Sequence, residues 1–273
     1  MPRSGSPQLE RLRSIEGRHN ALVKELRKAF AAGDRTADGC CAIEGVRVVE
    51  EAIRSGLKFR AVFFSASAES KAERFLPQFG AHVETVILPD RLFAATVPSE
   101  APQGVAALAR CKTFEMQDVL GKSAAGPIIV IVGLQDPGNL GTIMRSAEAF
   151  GAAGLLLGEG TVSPFNAKVV RASAGSVFRL PVVKAEMQEI LRELTQRGLR
   201  LIATSSHKGT PLPEATLTGS LAIFIGGEGA GLGRDLMAKM DEVVAIPHTA
   251  KVESLNAGVA ASVVLYEIWR QGK

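Results

Sequence analysis

This chain of 273 residues is short of several features that would each point to a function. It has three cysteines, Cys40, Cys41 and Cys111, and none lies in a C-x-x-C spacing. Neither a disulfide framework nor a zinc site is therefore indicated, and a reducing, cytoplasmic setting is expected. The four histidines, His19, His82, His207 and His248, are isolated in sequence. They lack the spacing that places two ligands on one helix face, so each reads as a surface or structural residue and no metal is expected. No apolar run reaches the roughly 18 to 20 residues needed to cross a bilayer. The N-terminus carries Arg3, Glu10, Arg11 and Arg13 and lacks the apolar centre of a secretory signal, while Glu10 and Glu16 argue against a cleaved organelle presequence. No membrane partner is expected.

Familiar catalytic signatures are missing as well. The stretch "GEGAGLG" offers no register with glycine at the first, third and sixth positions of a dinucleotide fingerprint. "GKS" at 121–123 has Met116 where a phosphate-binding loop requires glycine, and no apolar strand precedes it. Ser205, Ser206 and His207 are adjacent, but neighbours in sequence point apart and there is no G-x-S-x-G elbow. A hydrolase and a nicotinamide-dependent oxidoreductase are both disfavoured, the second remaining as an alternative.

What is present begins with charge. Residues 1–30 hold seven Lys/Arg against three Glu, which accounts for the whole net charge of +4, since the remainder balances. A basic leading segment ahead of a neutral body suits a polyanion partner, with Arg11, Arg13, Lys24 and Lys28 as candidate phosphate contacts. A solvated helix face explains the same charges equally well. Leu22, Leu26 and Phe30 recur at fourfold spacing, so Leu9 to Phe30 is expected to be helical.

Apolar content of 46% is ample for a core, and the pattern divides the chain. Strand and helix candidates alternate through residues 1–110, which are expected to form a small α/β domain. Residues 111–126 read as a polar linker. From 127 to 273 the alternation is clearer: Ile/Val/Leu-rich strands such as "PIIVIVG", "LRLIATS" and "LAIFIGG" are separated by helices. Such runs indicate a mostly parallel sheet covered on both faces. Ligands bind beyond the carboxyl ends of such strands. Three loops stand there, "GLQDPGNLG" (133–141), "IGGEGAGLG" (225–233) and "IPHTAKVESLN" (246–256), each rich in Gly, Pro or Asn. Asn139, Arg145, Glu228, Ser254 and Asn256 cluster in or just after them. With no nucleophile or metal among them, such a set can bind a polar cofactor and orient a second substrate, catalysis resting on proximity and electrostatics.

These loops carry a resemblance. Asn139-Leu-Gly141-Thr-Ile-Met-Arg145, Gly226-Gly-Glu228-Gly-Ala-Gly231, and Ile246-Pro247 with Ser254-Leu255-Asn256 resemble, in order and spacing, the three motifs of the SpoU (TrmH-type) RNA ribose 2′-O-methyltransferases. "AIEGVRVVEEAIRSG" and "SEAPQGVAAL" resemble that family's substrate-binding domain. The resemblance implies an α/β SPOUT-type domain with a trefoil knot, preceded by a small α/β RNA-binding domain. It implies S-adenosylmethionine bound mainly by backbone groups at Gly226, Gly227, Ile246 and Leu255, with Thr204 beside them. It also implies a homodimer formed through the knotted domain, and RNA as substrate. Ribosomal RNA is preferred over transfer RNA on account of the leading domain, and a member that binds RNA without catalysis is the alternative. Asn139 would start its helix as a cap or lock the loop. Arg145 would hold the phosphate and stabilise developing alkoxide charge, a guanidinium being a poor base. Glu228 and Asn256 would orient the arginine and the hydroxyl, with Ser254 in support. The chain departs from the family pattern at His248, Ala250 and Gly258, where Met, Gly and Ser are usual; His248 is read as filling the methionine position rather than contacting RNA.

Overall fold

A computed structural model describes residues 11–122, 125–228, 231–249 and 251–273. Arg3, Glu10, Ser123, Gly229, Ala230 and Ala250 lie outside the described residues. The chain divides into two compact units: the first runs to Lys112 and includes Phe165–Phe178, and the second comprises Thr113–Pro164 and Arg179–Lys273.

The first unit contains β1 (Arg13–Ser14), α1 (Ala21–Ala32), β2 (Cys40–Glu44), α2 (Val46–Arg54), β3 (Lys58–Ser65), α3 (Glu69–Phe75), β4 (Glu84–Leu88), α4 (Asp90–Ala94) and β5 (Val105–Arg110). Its sheet has the order β1-β4-β3-β5-β2, with β5 antiparallel to both neighbours. Phe63, Leu88, Leu108 and Leu26 are fully buried around one face. The expected helix from Leu9 to Phe30 is corrected here. Residues 13–14 pair with β4 as a strand, Ile15 donates to Ile87 and is buried, and the helix starts only at Ala21. Asn20 caps that start by accepting from the Leu22 amide at 3.0 Å, and Gly33 ends the helix in the left-handed region at φ 61°.

The cysteine expectation is corrected too. Cys41 on β2 and Cys111 just past β5 are disulfide-bonded, with Cα atoms 6.2 Å apart. They are separated by 70 residues, and only the antiparallel β2–β5 register brings them together, which no sequence spacing records.

The second unit contains α5 (Met116–Leu120), β6 (Ile128–Val132), α6 (Pro137–Ala149) and β7 (Gly154–Leu157). After α7 (Ala167–Ala172), it continues with β8 (Val182–Lys184), α8 (Met187–Gln196), β9 (Arg200–Ser205), β10 (Thr210–Pro211) and β11 (Leu221–Gly226). It closes with α9 (Arg234–Met237), β12 (Glu242–Ala245) and α10 (Ala257–Gln271). The expected linker at 111–126 is largely a part of this unit, because α5 buries Val119 and Leu120 against Ile128 and Leu156 in its core. Helix α7, expected in the second domain, belongs instead to the first unit. There the Arg171 guanidinium lies 2.7 Å from the Ser99 hydroxyl and 3.5 Å from the buried Glu44 carboxylate, which Ser99 also reaches at 2.8 Å. Burial pushes the Glu44 carboxyl above its usual range, against the opposing pull of Ser99 and Arg171.

The second sheet runs β10-β12-β9-β11-β6-β7-β8, all parallel, as its β-branched and Leu-rich strands predict. From β6 the chain moves outward through β7 and β8, then returns to lay β9 on the other side. Strand β11 later enters between β9 and β6. The direction of winding therefore reverses around β6, β11 and β9, and a crevice forms beyond their carboxyl ends. Among the described residues, no helix is long and apolar enough to cross a membrane.

Candidate active site

Helix α6 follows β6 after one loop. Asp136 is its N-cap, accepting from the Asn139 amide at 2.7 Å, and Pro137 occupies the first turn, where its fixed φ suits a helix start. The expectation that Asn139 itself caps this helix is thereby corrected. Asn139 lies one turn inside, only 6% exposed, which frees its side chain to act across the crevice. Its Nδ2 donates to Glu228 Oε1 in the loop after β11. Gly141 is buried within the same helix.

Glycines bring these loops together. A Cβ on Gly227 would run into the Gly133 carbonyl, so the loops after β6 and β11 touch backbone to backbone. Gly227 pairs with Gly231 in an isolated bridge, and Glu228 directly follows the first of them.

The third loop feeds α10. Asn256 caps that helix, its Oδ1 accepting from the amides of Gly258 at 3.0 Å and Val259 at 3.2 Å. This commits the oxygen and leaves only the Nδ2 amide for a substrate. Helices α6 and α10 lie against each other: Ser146 and Ser262 hydroxyls are 2.7 Å apart, and a Cβ on Gly258 would sit 3.2 Å from Asn139 Oδ1.

Within the crevice is a cavity of about 590 Å³, in the size range of small-molecule sites. Gly226, Gly227, Ile246, Leu255 and Thr204, the five residues expected to hold a cofactor, all line it, and so do Glu228 and Ser254. Thr204 contributes little through its hydroxyl, which donates to the Phe224 carbonyl at 3.0 Å. Arg145 does not line the cavity. It stands on the exposed side of α6 without an ion-pair partner among the described residues, and Glu148, a candidate partner one turn on, is gripped by Arg179 at 2.6 and 2.9 Å. The structure thus joins Asn139 directly to Glu228, brings Gly258, in the first turn of the Asn256-capped helix, against Asn139, and leaves Arg145 outside the cavity lining.

His207, set aside above as a surface or structural residue, and His248, read as filling a methionine position, line the same cavity, as do Glu253 and Arg234, which sequence reasoning missed. The two imidazoles are 41 positions apart and come within 6.2 Å, centroid to centroid, because β9 and β12 pair in register from Ile202↔Glu242 to Ser205↔Ala245. Asp136 was missed as well, although Asp followed by Pro before an apolar periodic run is a helix-start signal. Among the described residues no group of His, Cys, Asp and Glu could hold a metal ion.

On the first unit the four candidate RNA contacts separate. The Arg11 guanidinium donates to the carbonyls of Phe79 (3.3 Å) and Gly80 (2.7 Å), and Arg13 pairs with Glu84 at 3.5 Å, so these two fasten the leading segment to the domain. Lys24 and Lys28 are exposed on α1, with no side-chain partner among the described residues.

Comparison with known proteins bears on all of this. The SpoU rRNA Methylase family model matches residues 126–266, and an MRM3-like substrate binding domain model matches residues 20–107. The chain is 31% identical over 258 residues to the 23S rRNA (guanosine(2553)-2′-O)-methyltransferase RlmP of Bacillus subtilis, covering 94% of this chain and 99% of that one. It resembles the crystal structure of an RNA 2′-O ribose methyltransferase at a TM-score of 0.80 and 30% identity, over 95% of this chain and 99% of the other. It also resembles AviRb, a SpoU methyltransferase of Streptomyces viridochromogenes solved with AdoMet, at a TM-score of 0.81 and 27% identity, over 93% and 98% of the two chains.

Proposed function

The chain belongs to the SpoU rRNA methylase family, and from that premise we propose that it transfers a methyl group from S-adenosylmethionine to a ribose 2′-hydroxyl of RNA, with ribosomal RNA as substrate. The single observation that carries this reading is the Asn139–Glu228 contact at the glycine-lined cavity, because it unites two motifs 89 positions apart in sequence, after the paired strands β6 and β11, beside a space suited to the donor. The cavity fits the cofactor chemically: its lining residues bring backbone groups at Gly226, Gly227, Ile246 and Leu255 and carboxylates at Glu228 and Glu253.

When bound, S-adenosylmethionine supplies an electrophilic methyl on a positively charged sulfur. The protein's part is to align an oxygen with it and to ease loss of the hydroxyl proton. Glu228 fixes Asn139, and the two define the wall against which the ribose is held. Arg145, with no ion-pair partner among the described residues, takes the adjacent phosphate and stabilises negative charge developing on the oxygen. Ser254 and the Asn256 Nδ2 amide supply further hydrogen bonds to the sugar. The leading domain binds the RNA around the target, with Lys24 and Lys28 as phosphate contacts, and the enzyme works in the cytoplasm.

The protein acts as a homodimer in this reading. The large apolar residues exposed among the described residues are Val252, Val259, Val263, Tyr266 and Trp269, four of them along one stripe of α10. Such a stripe suits a second copy of the same helix in a two-fold arrangement. The family's trefoil knot is part of the proposal, supported by the late entry of β11 between β9 and β6.

The test is transfer of labelled methyl from S-adenosylmethionine to ribosomal and transfer RNA. Label is expected in a ribose of ribosomal RNA, and Arg145→Ala should abolish it while cofactor affinity stays within a few-fold. Label in transfer RNA alone would correct the substrate. Cofactor binding without any transfer would favour a non-catalytic RNA-binding member.

A further inference from the structure

The loop after β7, residues 158–164, belongs to none of the three motifs, yet it braces one of them. Past the end of β6, successive main-chain groups bond alternately to either side. The Val132 carbonyl accepts from the Gly227 amide at 2.8 Å, on the β11 side. On the β7 side, the Gly133 amide donates to the Glu159 carbonyl at 3.2 Å and the Leu134 carbonyl accepts from the Val162 amide at 2.9 Å. The turn that leads into α6 is therefore paired on both flanks, as the interior of a sheet is, although it lies beyond the strand. A Cβ on Gly160 would stand 3.4 Å from the Gly133 Cα, so the two loops also touch at their glycines.

Glu159 in turn fixes the β7 loop. Its Oε1 accepts from the amide of Met187, the first residue of α8, at 2.9 Å, and the preceding Glu186 makes no side-chain capping bond among the described residues. The Met187 amide, with Glu159's own amide in support, holds the Glu159 carboxyl below its usual range, so it is charged at neutral pH. Gly158 packs beside it, donating to the Ile131 carbonyl at 2.8 Å, and a Cβ there would collide with the Met187 side chain. One residue thus links α8, through its carboxylate, to the turn that starts α6, through its main-chain carbonyl. Asn139 is the third residue of α6, so where that turn lies decides where Asn139 meets Glu228.

We propose that Glu159 is a positioning residue for methyl transfer: its carboxylate anchors the β7 loop to α8, so that its carbonyl holds the turn at Gly133 and Leu134 and keeps Asn139 in place against Glu228. The inference rests on the Asn139–Glu228 pair forming the wall for the ribose. Glu159 does not line the cavity and acts only through the turn. A residue that merely capped α8 would change the stability of the fold and leave the turnover of folded protein as it was.

Steady-state methyl transfer to ribosomal RNA tests this, together with the stability coupling of Asn139 and Glu228, measured by double-mutant cycle in each Glu159 background. Glu159→Ala should lower kcat about tenfold while the KM for RNA and the affinity for S-adenosylhomocysteine stay within about threefold. Glu159→Gln, which keeps an acceptor oxygen for the Met187 amide, should hold kcat within about threefold of wild type. The coupling of Asn139 to Glu228 should fall to about half or less in the Glu159→Ala background and persist with Glu159→Gln. A kcat for Glu159→Ala within about threefold of wild type, whatever the change in Tm, overturns the assignment, as does an undiminished coupling or a Glu159→Gln protein as impaired as Glu159→Ala. A wild type that methylates no RNA removes the proposed function and the role of Glu159 in it; the coupling, which needs no turnover, separates that failure from a failure of the brace.

Discussion

Removing the Glu228 carboxylate is expected to cost more stability than removing its partner, and the reason lies in burial. Asn139 is 6% exposed, whereas Glu228 is open to solvent on its far side. In Glu228→Ala the Asn139 amide stays buried and loses its acceptor, which costs about 1–3 kcal/mol. In Asn139→Ala the carboxylate turns to water, so the polar part of the loss is small and what remains is a modest packing defect. A destabilisation of about 2 kcal/mol in a unit of this size corresponds to a fall in Tm of roughly 4–8 °C. The double variant should be no less stable than Glu228→Ala alone, because it no longer buries an unpaired amide. Denaturant unfolding of the wild type, both single variants and the double variant closes the cycle. A coupling below about 0.5 kcal/mol, or a Glu228→Ala protein as stable as wild type, would refute the claim that these motifs hold each other in place.

Three further outcomes are expected. Lys24→Glu with Lys28→Glu should weaken RNA binding and lower the slope of log affinity against log salt by roughly 0.7–0.9 for each phosphate that α1 no longer neutralises, measured by filter binding; an unchanged slope would remove α1 from the RNA surface. The raised Glu44 pKa means that its folded form holds its proton more tightly than the unfolded chain does. Its contribution to stability is thus full below the unfolded carboxyl value of about 4.3 and is lost as pH rises through the elevated folded value. Glu44→Gln should flatten that limb of the stability profile of the first unit; a profile identical to wild type would contradict the burial argument. Val263→Glu with Trp269→Glu should yield a monomer in sedimentation velocity at concentrations where the wild type is a dimer, and a monomeric wild type would overturn the α10 interface.

Much of the second sheet is readable in the sequence because its strands are apolar runs of Ile, Val and Leu bounded by glycine-rich loops, a pattern that parallel strands covered on both faces require. The three loops and most of their polar residues follow from position alone. What the sequence hides depends on long-range register. Strand β1 is held by β4, some 70 residues away, and its charged sequence resembles a helix face. The Cys41–Cys111 bond and the His207–His248 pair each arise from strand pairing that brings distant residues side by side. The short helix α5 is hidden because only Val119 and Leu120 mark it as part of a core, inside a stretch otherwise polar and small. The α6 start is misplaced by one turn, since Asn139 and Asp136 are both good caps and only Pro137 decides between them.

The late arrival of β11 has a consequence for synthesis. A nascent chain that has emerged only through β10 can pair β6, β7 and β8, while β9 has no partner because β11 and β12 both come later, and the place beside the open hydrogen-bonding edge of β6 is empty. Until Leu221–Gly226 fills it, that intermediate is the form of the protein most exposed to strand-mediated aggregation. A ribosome pause shortly before residue 221 would therefore harm yield more than a pause of equal length after residue 226.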